Sequence, residues 1–320
     1  MSEQSVVPNA APGAAPNVIP EAAPGSIYDL GYRRYDGRRL GRWGAFVALY
    51  SDSLRACFGL GRPGRAKVAP VGLTLLALLP AAIAVAIEAL ARDVIPNPIH
   101  YDNYFSTIVQ FLVLFVAAQA PELVGRDQRY RTLALYLSRA LDRLDYPAAK
   151  LLALCTALFV VSILPQAAIF VGKVLGASDV VAAFLDNLKS VPPIIASSLA
   201  ASFVMAAIAL AVGAFTSRRA YATAGIFALF FISIAVASVV AEMSRQTQAG
   251  SVGETLGRLG PLLAPTDTLE GLTAWLFGTP VTGSVFPDTP LPGVLYLAVA
   301  AGMAVAAAGL LAWRYRRMPL

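Results

Sequence analysis

Six apolar stretches run through this chain, at Val68–Leu90, Tyr104–Leu123, Ala148–Leu175, Ile194–Phe215, Ala220–Met243 and Val294–Trp313. A helix needs about 20 mainly apolar residues to cross the roughly 30 Å hydrocarbon core of a bilayer, and each stretch is long enough. Inside that core the chain itself must satisfy every backbone N–H and C=O, which leaves only helices and closed barrels. The stretches are continuous runs rich in Ala, Leu and Val, without the period-2 alternation of barrel strands, so they predict helices. The expected fold class is an all-α integral membrane protein, a six-helix transmembrane bundle occupying residues 68–320.

Charge supports this reading and orients it. Only 14% of residues are charged, against about 25% in an average soluble domain. Of the 25 Lys and Arg, nine precede the first stretch, six lie from Arg126 to Lys150, two are Arg218 and Arg219, and three follow Trp313. With the N-terminus inside, all of these fall on one side, as the positive-inside rule requires. The remaining five are Arg92, Lys173, Lys189, Arg245 and Arg258. The net charge of +6 therefore sets orientation and calls for no nucleic acid. Both termini are expected in the cytoplasm.

Ahead of the first span lie two different segments. Residues 1–26 are rich in Pro, Ala and Gly and cannot bury a core, which predicts a disordered tail. Residues 27–67 include an amphipathic pattern from about Arg42 to Phe58. Trp43, Phe46, Val47, Tyr50, Leu54, Cys57 and Phe58 share one face by helical spacing, with Ser51, Asp52 and Arg55 opposite. A helix of this kind, carrying Trp and Arg next to a span, is expected to lie in the inner membrane interface against lipid. Gly59–Gly64, with Pro63, then breaks the helix.

Several residues carry no chemistry by pattern. Cys57 and Cys155 have neither disulfide nor metal spacing. His100 is the single histidine, in an outer loop, and no metal site forms around it. Glu88 and Glu242 lie near outer span ends, where acids are functional candidates but more often reach water, and Lys173, also near the outer face, could pair with either. Gln110, Gln119 and Gln166 lie within spans and are expected to bond a neighbouring helix or line a pathway. Pro80 and Pro165 are expected to kink their helices. The outer segment 244–293 is rich in Gly, Pro and Thr. Within it Asp267–Phe277 reads as a short helix with a capping box from Asp267 and Glu270, resting Leu269, Leu272, Trp275 and Leu276 on the outer membrane surface.

The most specific segment is the loop Glu122–Lys150, dense in Arg and Asp with Leu133, Leu135, Leu137 and Leu141 running through it. Such a segment can dock an apolar face on a protein partner while its charges set orientation. Glu122, Asp127, Thr132-Leu133, Leu137-Ser138, Arg143 and Lys150 follow in the order seen in the ABC-2 type transporter permeases, and the chain resembles that family along most of its length. Tyr28–Arg42 looks like the start of actinobacterial members. Arg131 stands where the family often has Gly, and Ala140 where Pro is common, which leaves the turn geometry open.

The resemblance implies a multi-pass subunit of the bacterial cytoplasmic membrane that dimerises with a second copy or homologue and forms the pathway of an exporter. It implies a separate cytoplasmic ABC ATPase, contacted through Glu122, Arg126, Asp127, Arg131, Thr132, Leu133, Ser138 and Arg143 and gripped by the helix bearing Trp43, Phe46, Tyr50, Leu54 and Phe58. ATP and Mg would sit on that partner, because this chain has no G-x-x-x-x-G-K-[ST] loop, and no cofactor is expected on the chain itself. An intramembrane enzyme is disfavoured by the absence of a catalytic cluster. A gradient-driven secondary transporter and a non-transporting scaffold remain as alternatives, the former weakened by a lack of midplane charge and of repeats.

Overall fold

In the computed structural model the chain is described at residues 37, 41–90, 97, 99–130, 132–137, 141–246, 251–280, 286 and 291–318. The expected tail 1–26, residues 28–36 and 38–40, and the positions Arg131, Ser138 and Ala140 lie outside these residues. Twelve α-helices follow in order: α1 Gly41–Cys57, α2 Arg65–Leu90, α3 Tyr104–Ala120, α4 Arg126–Arg129, α5 Leu133–Leu137, α6 Asp145–Leu175, α7 Val180–Leu188, α8 Val191–Gly213, α9 Arg219–Gln246, α10 Val252–Arg258, α11 Pro265–Phe277 and α12 Gly293–Arg316. A π-helical turn at Pro121–Gly125 joins α3 to α4, and a 3₁₀ turn at Gly260–Leu262 precedes α11. No strand occurs among the described residues.

Six helices are long and apolar enough to cross a membrane: α2, α3 with its continuation to Arg129, α6, α8, α9 and α12. All six expected spans are present. The second runs six residues past Leu123 because the π turn carries the helix on instead of ending it. Pro192 and Pro193 fall in the first turn of α8, where their missing N–H groups cost nothing. Helices α2 and α6 continue through Pro80 and Pro165.

Helices α3, α6 and α8 form the middle of the bundle, with α2, α9 and α12 around them. Small residues let the backbones approach. Ala77, Ala81 and Ala84 of α2 are fully buried along one stripe, and a Cβ on Gly172 of α6 would overlap Val85 of α2. The outer helices turn large apolar side chains outward, among them Leu75, Leu79 and Ile83 on α2, Ile232 and Val239 on α9, and Val305 on α12. Water would penalise so much contiguous apolar surface, whereas lipid would not.

Helix α1 packs along α6. Leu49, Ser53 and Cys57 are its buried stripe, while Phe46, Tyr50, Leu54 and Phe58 are half-buried against the core. Trp43 and Val47 were expected on the same face but point outward, Trp43 being 73% exposed and stacked on Phe46. The inward face is thus turned toward Leu49 and Ser53, because small Ser53 and Cys57 let α1 approach α6 closely. The helix stops before Gly59, whose φ of +67° and near contact with the Ala66 carbonyl exclude a side chain.

The segment before α12 departs most from expectation. Helix α11 turns only part of its expected outer face outward, with Trp275 exposed and Leu276 half-buried. Leu269 and Leu272 are buried, and α11 packs against α8, α12, α9 and α3. Its N-cap is Ala264, with no side-chain cap, so Asp267 and Glu270 form no capping box. Pro265 takes the first helical position and moves the start two residues earlier than Asp267.

Candidate functional site

Glu122, Asp127, Thr132, Leu133, Arg143 and Lys150 gather where the arginine-rich ends of the helices meet. Here the π turn and α4 extend α3 beyond the bundle's apolar middle. A π turn carries one residue more than an α turn and often marks a functional position. Its Glu122 is held from two elements: Arg62, on the approach to α2, at 3.1 Å, and Arg219, at the start of α9, at 2.5 Å. One carboxylate thereby fixes three segments remote in sequence.

One turn further on, Asp127 is 7% exposed, and Lys150 of α6 is 5% exposed. The Lys150 ammonium and the Tyr146 hydroxyl both donate to Asp127 Oδ2, at 2.9 and 2.7 Å. Lys150 also stands 5.4 Å from the centre of the Tyr146 ring. That ring packs on Tyr315 of α12, at 5.2 Å, and on Tyr136 of α5, at 5.7 Å. The Thr132 hydroxyl and backbone N–H donate to the Asp127 carbonyl and turn the chain after α4. Gln128 Nε2 donates to the Ala214 carbonyl at 3.1 Å, closing α4 onto the end of α8. A buried pair of this kind is weak as a source of stability, since desolvation offsets attraction, but it is demanding about geometry.

Two further clamps bound the region. Arg42 of α1 holds Asp145 through two bonds of 2.7 Å and Asp142 at 2.6 Å. Arg143 Nη1 donates to the Arg316 carbonyl of α12 at 2.9 Å. Leu133 is half-buried against the core.

Asp127, expected on a partner-facing loop, is turned into the protein, and Glu122 is half-enclosed by its two arginines. The reason is burial: each carboxylate finds its cation within the chain. The outward face consists instead of Arg126, Arg129, Tyr130 and Leu135, the last two 67% and 68% exposed. Tyr146, Tyr315, Gln128, Arg62 and Arg219 were missed. Tyr315 lies in an aromatic and basic terminus that reads as a membrane anchor, and no local signal joins it to Asp127.

A second polar grouping lies at the opposite, distal end. Thr266, Asp267, Thr268 and Thr273 of α11 are buried. Asp267 Oδ1 takes the Thr266 hydroxyl at 3.1 Å, and Asp267 Oδ2 meets no hydrogen-bond partner among the described residues. Burial pushes the Asp267 carboxyl up to about 6. Burial, and then the charge of Asp267, push Glu270 up to about 7. At the outer end of α6 the Lys173 ammonium sits over the Tyr101 ring at 4.4 Å, and among the described residues it forms no ion pair. Gln166 donates to Ser198 at 3.1 Å inside the α6–α8 contact, whereas Gln110 is exposed on α3. His100 is exposed, and no group of three metal-ligating residues occurs among the described residues. Cys57 is fully buried and its thiol is pushed up to about 12, chiefly by burial, so it is inert.

The class these features define is a helical protein with six helices fit to cross a membrane, compatible with a multi-pass membrane protein. No family model and no curated protein matches the chain.

Proposed function

We propose that this chain is the membrane subunit of an ATP-driven exporter, a permease of the ABC-2 type, coupled to a separate cytoplasmic ATPase. The observation that carries the reading is the extension of α3 through the π turn into α4. It is a short strut braced at Glu122 and Asp127 by Arg62 ahead of α2, by α6 and by α9, with Arg126, Arg129 and Tyr130 exposed at its tip. A push on such a tip moves several spans together, because the bracing ties them to it. Helix α1, clamped to the start of α6 by Arg42, lies along the inner interface and moves with the strut. The exposed Gln110 on α3 meets a polar pathway or a second copy rather than lipid, where an amide lacks partners. In this reading both termini are cytoplasmic, the membrane is a bacterial cytoplasmic membrane, and ATP and Mg belong to the partner.

The test is purification from native membranes with mass spectrometry of the associated soluble subunits. A nucleotide-hydrolysing subunit should accompany the wild-type chain and be lost from the Tyr130→Ala/Arg126→Ala variant, with membrane insertion unchanged. Recovery of no such subunit, with transport intact in the purified chain alone, ends the proposal.

One observation favours a second reading, transport driven by an ion gradient. The buried Asp267 and half-buried Glu270 are ionisable groups of the sort such transporters use. Nucleotide-free transport by the purified chain under an imposed proton gradient would establish it.

A further inference from the structure

We propose that Asp267 and Glu270 together hold a proton at the distal end of the bundle, and that its release loosens the wedge formed by α11 between α8 and α12. The proposal rests on neither reading of the function. Asp267 is nine-tenths buried, and only one of its two oxygens has a donor. An ionised carboxylate is an acceptor at both oxygens, so an orphaned, desolvated one is strongly disfavoured unless a cation pairs with it. Neither acid has a Lys or Arg within ion-pair distance among the described residues. The remaining way to neutralise the site is a proton.

Glu270 is placed to share it. Residues three apart on a helix are neighbours on one face, and Glu270 responds to the Asp267 charge. A charge on Asp267 makes ionisation of Glu270 costlier, so the first proton lost from the site disfavours loss of the second.

Among the described residues, none of the elements packed on α11 brings a cation into ion-pair contact with either acid. Helix α8 contains no ionisable residue, and neither does the 3₁₀ turn. From α12 comes Tyr296, a neutral phenol whose ring lies on Gly271. At this end α9 presents Glu242, which accepts from Gln246. From α3 comes Tyr104, whose hydroxyl donates to the Ala77 carbonyl. Arg258 lies on α10, before the turn. With one proton held, α11 carries a single negative charge among apolar and Thr side chains. With none, two charges face that site, and hydration of α11 becomes the favoured outcome.

The test uses the full chain in lipid nanodiscs and infrared spectroscopy from about pH 5 to about pH 9, a range that brackets the shifted carboxyls. The wild-type chain should show the carbonyl stretch of a protonated carboxyl near pH 6 that vanishes by about pH 8. The band should be lost in Asp267→Asn/Glu270→Gln, whose amides keep the size of the acids. A chain with Thr273→Cys, buried on α11, should react with a maleimide about tenfold faster at the higher pH once normalised to an exposed Lys189→Cys control. The same cysteine in the double variant should stay slow at both. Absence of the band from the wild-type chain overturns the proposal. So does its persistence in the double variant, or a cysteine whose normalised rate does not change.

Discussion

Removing the side chain of Asp127 leaves the Lys150 ammonium buried and unpaired, with the Tyr146 hydroxyl deprived of its acceptor. Breaking one side of a buried pair costs about 3–5 kcal/mol, whereas replacing both partners by apolar groups is often nearly neutral. Asp127→Ala should therefore lower the thermal midpoint in detergent far more than Asp127→Ala/Lys150→Met does. A double variant as unstable as the single would mean that the pair is not the determinant. Glu122 is less enclosed, and Glu122→Gln should shift stability by less than about 1 kcal/mol. The distal acids make a prediction in pH. Their folded values, about 6 and about 7, lie above the ordinary values of 3.8 and 4.5. The folded state thus binds protons that the unfolded state has already lost. Below the unfolded values there is no penalty; stability falls as pH rises toward the folded values and then levels. Thermal midpoints should decline between about pH 4 and about pH 7, and Asp267→Asn should flatten that slope.

At the scale of elements, α11 shows how a short helix is held among long ones. Gly271 exists where the Tyr296 ring lies against the backbone, and Gly293 where the Trp275 ring does. A Cβ at Gly271 would overlap a ring that is itself buried, so the ring cannot swing clear. Gly271→Ala should cost about 1–3 kcal/mol, in the range of overpacking. Tyr296→Leu in the same chain should restore part of the loss. An Ala variant as stable as the wild type would show that α11 is not wedged. The π turn is the counterpart at the arginine-rich end: it sets the direction in which Asp127 leaves the helix axis, and hence whether that side chain meets Lys150 or solvent.

For the whole molecule, orientation and bracing are separable. Arginines gather at one end of the bundle, and polar uncharged groups and the acid pair lie near the other. The positive-inside rule predicts that a cysteine at Arg129 is labelled only after membranes are opened and one at Ser178 in intact cells. The reverse pattern would invert the topology and remove the strut from the cytoplasm. The six spans, their order and the break at Gly59–Gly64 were all legible in the sequence, because each depends on local apolarity and backbone preference. The strut was legible as a position but not as a structure. Glu122, Asp127 and Lys150 were singled out, yet their partners Arg62, Arg219 and Tyr146 carry no local mark. The face of α1 was misplaced because Ser53 and Cys57, being small rather than apolar, decide which side packs. The apolar residues of α11 read equally well for a surface or an interior, since Leu269 and Leu272 suit both.

By itself the sequence determined where the six long apolar helices lie and which ends gather positive charge, because lipid and backbone chemistry act on each segment alone. Which carboxylate meets which cation, and that α11 turns inward with an unpaired acid, was decided only by packing, since those contacts join residues that the chain separates by as much as a hundred positions.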